Sequence, residues 1–239
     1  MINQASLSSK DIFVRRPSIS ITLKDPGSAI THFIGAAMAL IATPALLVRT
    51  IENHGSPVHI ISMLIFMLSM IMLYSASTIY HSVDSSDIIN RRLRKLDHIM
   101  IFFLIAGSYT PVCLIVLNAS RGWFIFSIVW GIAIAGTIIK ALWITCPKWF
   151  SSVLYIGMGW VCLLAIKDIV VALSADALFW LVAGGVIYTL GGILYALKLK
   201  RFNILHPNFG SHEIFHLFVM AGSTCHFIMM YSYVAVMPI

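Results

Sequence analysis

Seven stretches of this 239-residue chain carry no Asp, Glu, Lys or Arg for 18 residues or more: 26–48, 53–83, 98–120, 122–139, 149–166, 177–197 and 214–239. A helix that crosses a bilayer needs roughly 20 apolar residues, about 17 to 25, so each stretch is long enough for one crossing and none holds two crossings with a loop. The pattern predicts an all-α, polytopic seven-helix bundle with spans near 28–48, 58–81, 97–117, 122–142, 150–170, 177–198 and 211–235. Charged residues are 10% of the chain against about 25% in soluble domains, which excludes a soluble globular fold. The same apolar composition excludes disorder.

Basic residues set the expected orientation. The N-terminal segment (Lys10, Arg15, Arg16, Lys24) and the second, fourth and sixth connections (Arg91, Arg92, Arg94, Lys95; Lys140, Lys148; Lys198, Lys200, Arg201) together hold thirteen of the sixteen. The opposite side holds three, Arg49, Arg121 and Lys167. By the positive-inside rule this places the N-terminus in the cytoplasm and the C-terminus outside. The formal charge of +7 is therefore a topology signal, available to anionic headgroups, and nucleic acid is not expected as a partner. Residues 1–26 have no apolar core of a cleaved signal peptide and are read as a cytoplasmic segment ahead of a transmembrane domain over 27–239. Cys113, Cys146, Cys162 and Cys225 form no CxxC pair, which argues against a disulfide framework or a cysteine-held metal. Pro44 and Pro111 are expected to kink their spans. The glycines 131, 136, 157, 159, 184, 185, 191 and 192 are expected at close helix contacts.

Ionisable groups at membrane depth are costly and usually face the interior of a bundle. On the expected topology His81 ends the second helix, Asp97 opens the third, and His212 and His216 open the seventh, all at the cytoplasmic level; His32 lies in the first turns of helix one. Positions i and i+4 share a helix face, so His212 and His216 can bind one ion, and His81 adds a third imidazole. Three nitrogens with an open fourth position is the pattern of catalytic zinc, and Asp97 is then placed to hold or deprotonate a water. Imidazole also suits iron, copper and nickel. Taken singly, His81 reads as a helix-end residue and Asp97 as a first-turn acid favoured by the helix dipole. His98 reads as packing, His226 as too deep to join the others, and His54, His59 and His206 as loop or interface residues. His212-Glu213-Ile214-Phe215-His216 also matches HExxH, which raises a metalloprotease with Glu213 as base.

Ser77-Thr-Ile-Tyr-His81, Leu96-Asp97-His98 after a basic run, and His212-Glu-Ile-Phe-His216 together resemble the bacterial hemolysin III proteins. These are grouped with the progestin and adipoQ receptors in a superfamily of proposed membrane metal hydrolases that includes alkaline ceramidases. The resemblance runs from about residue 25 to the end. It implies zinc on His81, His212 and His216, a water-mediated role for Asp97 and a supporting role for Ser77. Thr31-His32 resembles a recurrent first-helix motif, and Ser28 stands where relatives often carry Asn. The expected function is a zinc-dependent hydrolase of a lipid amide or ester in the inner (plasma) membrane, with Asp97 as base, Ser77 orienting water or donating to an oxyanion, and the substrate's acyl chain within the bundle. A non-catalytic sensor with structural zinc, a cytolysin and the protease are the competing readings.

Overall fold

A computed structural model describes residues 23–197, 199–206 and 209–238. Seven helices long and apolar enough to cross a membrane are present: α1 Pro26–Glu52, α2 Pro57–Ser82, α3 Asp87–Val116, α4 Ala119–Leu142, α5 Lys148–Ala172, α6 Ala175–Leu197 and α7 Ser211–Val236. A short helix, Lys200–Leu205, follows α6, and no strand occurs among the described residues. Most of the expected polar N-terminal segment lies outside them.

The elements begin where backbone chemistry lets a helix begin. Pro26 and Pro57 occupy the first turns of α1 and α2, where a missing N–H costs nothing. Ser56 and Asn118 cap α2 and α4 by accepting from the amides of His59 and Arg121, as N-cap side chains do. α1 packs on α2, α2 on α3, α3 on α4, α5 on α6 and α6 on α7, and α1 also meets α7. α3 is the most enclosed span, with 61% of its most apolar stretch buried, against 17% for α5 and α6. Outward positions stay apolar, as at Ile41, Leu142 and Val171, which are more than three-quarters exposed; lipid is the solvent for that surface.

Three features depart from uniform helices. Helix α3 starts ten residues before Asp97, so the run Arg91–Lys95 is helical and Asp97 sits in the third turn. A charge ends an apolar run without ending a helix, because Arg, Lys and Leu are good helix formers. The dipole explanation for Asp97 falls with this shift. Second, Pro111 is followed by a π-helical turn, Val112–Val116, the expected disturbance at a residue that cannot donate to the ladder. Third, α5 passes through a 3₁₀ segment at Trp160–Ala165 just after Gly159. Of the eight glycines expected at close contacts, a Cβ would crowd Phe102 at Gly136, His226 at Gly184, Phe218 at Gly191 and Ile156 at Gly192. Nothing lies near Gly131, Gly157, Gly159 or Gly185. Lys140, expected in a connection, belongs to the last turn of α4 and is 1% exposed, its ammonium donating to Ser151 Oγ at 2.5 Å and Cys146 Sγ at 3.1 Å.

Candidate metal centre

Three imidazoles meet where α2 ends and α7 begins. His81, His212 and His216 each offer a ring nitrogen within 4.8 Å of the others. The i, i+4 spacing brings the two α7 rings edge to face, 4.6 Å apart by centroid and 64° between planes, and the end of α2 brings His81 within 5.2 Å of both. His81 and His216 are buried.

Hydrogen bonds determine which nitrogen faces inward in two of the rings, His81 and His216. His81 Nδ1 lies 2.9 Å from Asp25 Oδ2, so the ring donates there and its Nε2 is left bare toward the cluster. Asp25 is the N-cap of α1, yet its carboxylate does not cap its own helix; its backbone N–H also donates to the His81 carbonyl at 2.9 Å. A carboxylate behind an imidazole fixes its tautomer and raises its basicity. At His216, Nδ1 stands 3.3 Å from Thr31 Oγ1. That hydroxyl already faces the carbonyls of Gly27 and Ser28 at 2.9 and 3.0 Å, so its proton is engaged and it accepts from the ring. His216 Nε2 is then also bare.

The donor set fits a metal ion. His81 Nε2 and His212 Nε2 are 3.3 Å apart, and two zinc–nitrogen bonds of about 2.0–2.1 Å at a tetrahedral angle span about 3.3–3.4 Å. Ser77, one turn before His81, is 1% exposed, and its Oγ is buried without a hydrogen-bond partner among the described residues. A lone buried hydroxyl is costly, and this one sits beside the cluster on the same helix. No carboxylate joins the three-histidine group among the described residues. Asp97 is buried, with Oδ2 3.3 Å from His98 Nδ1, and its charge reaches His81 and His32.

His32, whose role the sequence left open, belongs to the site's wall. Its ring stacks on His216 at 3.7 Å with 10° between planes and meets the edge of Tyr74 at 5.1 Å; both of its nitrogens are buried without a hydrogen-bond partner among the described residues. Ser28 Oγ donates to Glu213 Oε1 at 2.7 Å, and Glu213 Oε2 accepts from the Gly210 N–H at 2.8 Å. Glu213 thus ties α1 to the start of α7. His98 joins Arg94 O to Tyr195 Oη, His226 lies beside Tyr188 and Leu181 O, His59 packs on its cap Ser56, and none of these enters the triad. The residue that sequence reading missed outright is Asp25; the Pro at the next position marks a helix start at the same end of the bundle as His81.

A cavity of about 160 Å³ opens among α3, α5, α6 and α7. Its lining is overwhelmingly apolar, and Tyr195 and Phe215 belong to it; the same two rings flank His212 at 6.0 and 6.1 Å.

The comparisons with known proteins agree with the architecture. A family model described as "Haemolysin-III related" matches residues 21–227. The chain is 35% identical over 209 residues to Hemolysin-3 of Bacillus cereus, covering 87% of this chain and 90% of that protein. It is 35% identical over 221 residues to the Hemolysin-3 homolog of Bacillus subtilis, covering 91% and 98%. The monocyte to macrophage differentiation factor of Homo sapiens is 28% identical over 180 residues, 71% of this chain and 68% of its own. A family model across most of the chain, relatives matched over nearly their full length and seven membrane-spanning helices make this chain a multi-pass member of the haemolysin-III-related family.

Proposed function

We propose that the protein is a zinc-dependent hydrolase acting on an amide or ester of a membrane lipid. The observation that carries this reading is the convergence of three imidazoles, two with their second nitrogen already engaged, beside an apolar cavity. His81, His212 and His216 would hold the ion, and three protein ligands match catalytic zinc better than a closed four-ligand structural site. Zinc held there supplies Lewis acidity, polarising a carbonyl and making water a usable nucleophile near neutral pH. Asp97, buried and linked to His98, takes the proton. Ser77 Oγ donates to the oxygen on which negative charge develops. Asp25 and Thr31 hold the His81 and His216 rings in one tautomer. The cavity wall formed by Tyr195 and Phe215 receives an acyl chain and excludes water from it.

Asp97→Asn separates catalysis from structure. It keeps the shape and one hydrogen bond but cannot accept a proton, so zinc content and melting temperature should hold while lipid-amide hydrolysis falls about 10² to 10⁴-fold. Glu213→Gln should leave turnover within a small factor of wild type. Absence of wild-type hydrolysis across ceramides, acyl amides and phospholipids would remove the enzyme reading in favour of a sensor held together by zinc. The names of the Bacillus relatives raise cytolysis as a second reading; dye release from liposomes by purified protein would support it.

A further inference from the structure

Lys140 departs from the rule that a fully buried lysine is paired with an acid. It is 1% exposed, and none of the ion pairs among the described residues includes it. Its partners are a thiol and a hydroxyl. Lys140 Nζ lies 3.1 Å from Cys146 Sγ and 2.5 Å from Ser151 Oγ, and the sulfur and the hydroxyl oxygen are 3.3 Å apart. The three side chains come from the last turn of α4, the connection that follows it and the start of α5. Lys95 of α3 holds the same end of α4 by donating to the Ala141 carbonyl. None of the three joins the histidine group, so the cluster is separate from the candidate metal centre.

A nitrogen and a sulfur in contact, with one hydroxyl touching both, are two nucleophiles while the sulfur is reduced. Once oxidised, the sulfur becomes an electrophile and the amine is its nearest nucleophile. Cys146 is 6% exposed, yet Thr145 and Pro147 on either side of it are exposed. The sulfur therefore lies one residue deep, within reach of a molecule as small as hydrogen peroxide. Thiols that oxidise selectively sit in electropositive surroundings of this kind. Cys113, Cys162 and Cys225 lie instead within α3, α5 and α7, and no lysine donates to them among the described residues. The cluster also borders the cavity. Lys140 Nζ stands 6.0 Å from the centre of the Tyr155 ring, and Tyr155 lines the cavity and donates to the His98 carbonyl.

We propose that Cys146 is an oxidative modification site for peroxide, and that Lys140 captures its sulfenic acid as a sulfenamide. In the first step the sulfur attacks one peroxide oxygen and the O–O bond breaks. The sulfur gives up two electrons, and the thiol proton leaves with the second oxygen as water. In the second step the Lys140 ammonium releases one proton to solvent, its nitrogen attacks the sulfur and the S–O bond breaks. The hydroxyl leaves as water with a second proton from the nitrogen, so no further oxidant is consumed. Sulfenic acids condense with a nearby nitrogen in this manner, here a side-chain amine held by Ser151. Two equivalents of a small thiol return the free cysteine and lysine with formation of its disulfide. The proposal depends on neither a bound metal nor the hydrolase reading.

The test exposes the full-length protein in detergent to hydrogen peroxide, blocks remaining thiols with N-ethylmaleimide and maps the peptides by mass spectrometry. Wild type should yield Lys140 joined to Cys146, lighter by two hydrogen atoms than the separate peptides, and dithiothreitol added before blocking should abolish the link. Lys140→Met keeps the side chain's length and removes the amine. In that variant dimedone present during the peroxide pulse should trap the Cys146 sulfenic acid at several times the wild-type yield. Cys146→Ser should lose both products. Thermal melting reports whether each variant is folded, and the wild-type map decides the proposal even where a variant is not. Absence of the link at a peroxide dose that oxidises methionine overturns the proposal. So does a link that retains an oxygen atom, or oxidation of Cys146 to sulfinic acid alone. Equal dimedone trapping in wild type and in folded Lys140→Met overturns capture by the lysine. Oxidation of Cys113, Cys162 and Cys225 to the same extent as Cys146 overturns its selectivity.

Discussion

Asp25 shows how a single residue can be diverted from its usual task. An acid at an N-cap ordinarily accepts from the amides of its own helix. Here it accepts from His81 on the next helix, and its backbone binds the same residue. Asp25→Asn preserves the shape but removes the charge that raises ligand basicity, so zinc affinity measured by chelator competition should fall about 10- to 100-fold. His81→Ala or His212→Ala should empty the site, while His226→Ala should leave the metal content of purified protein unchanged. Full metal in both of the first two variants would mean that the ligands lie elsewhere. The triad was readable because His212 and His216 share a face by spacing alone and His81 falls at the matching level. Asp25 and His32 were not, because helical periodicity reports which residues share one helix's face and is silent about what an adjacent helix places against it.

At the scale of elements, the expected spans and the observed ones agree in number and order, and they differ where chemistry other than hydropathy decides the ends. Helix α3 runs past its apolar stretch because basic residues keep helical propensity as their long side chains reach into the interface. The π turn after Pro111 has a structural companion: a Cβ at Gly122 would stand 2.0 Å from the Cys113 carbonyl oxygen, so α4 approaches that turn at backbone distance. Gly122→Ala should cost about 1–3 kcal/mol through overpacking, read as a lowered melting temperature in detergent. Gly131→Ala, with nothing within 4 Å, should not lower it. Equal effects would show that the approach of α4 to the π turn is not tight. Both glycines lie in the same helix of the sequence, and composition alone could not tell the crowded one from the open one.

For the whole molecule, seven crossings would put α1's start and α7's end on opposite faces, and from the basic bias of thirteen to three we propose that the N-terminal face is the cytoplasmic one. A reporter fused after residue 239 should therefore be active only outside the cytoplasm, and one ahead of residue 1 only within it; a cytoplasmic C-terminal signal would overturn that orientation. The bundle's closure has a consequence in time. Ser28 and Glu213, like Thr31 and His216, meet across 185 positions of sequence, and two of the three imidazoles arrive with the last helix to be synthesised. A chain of six inserted helices has His81 but neither His212 nor His216, so it lacks the three-imidazole set. If zinc is held as proposed, its capture waits for α7, and a truncated product ending at residue 205 should purify from the membrane without metal.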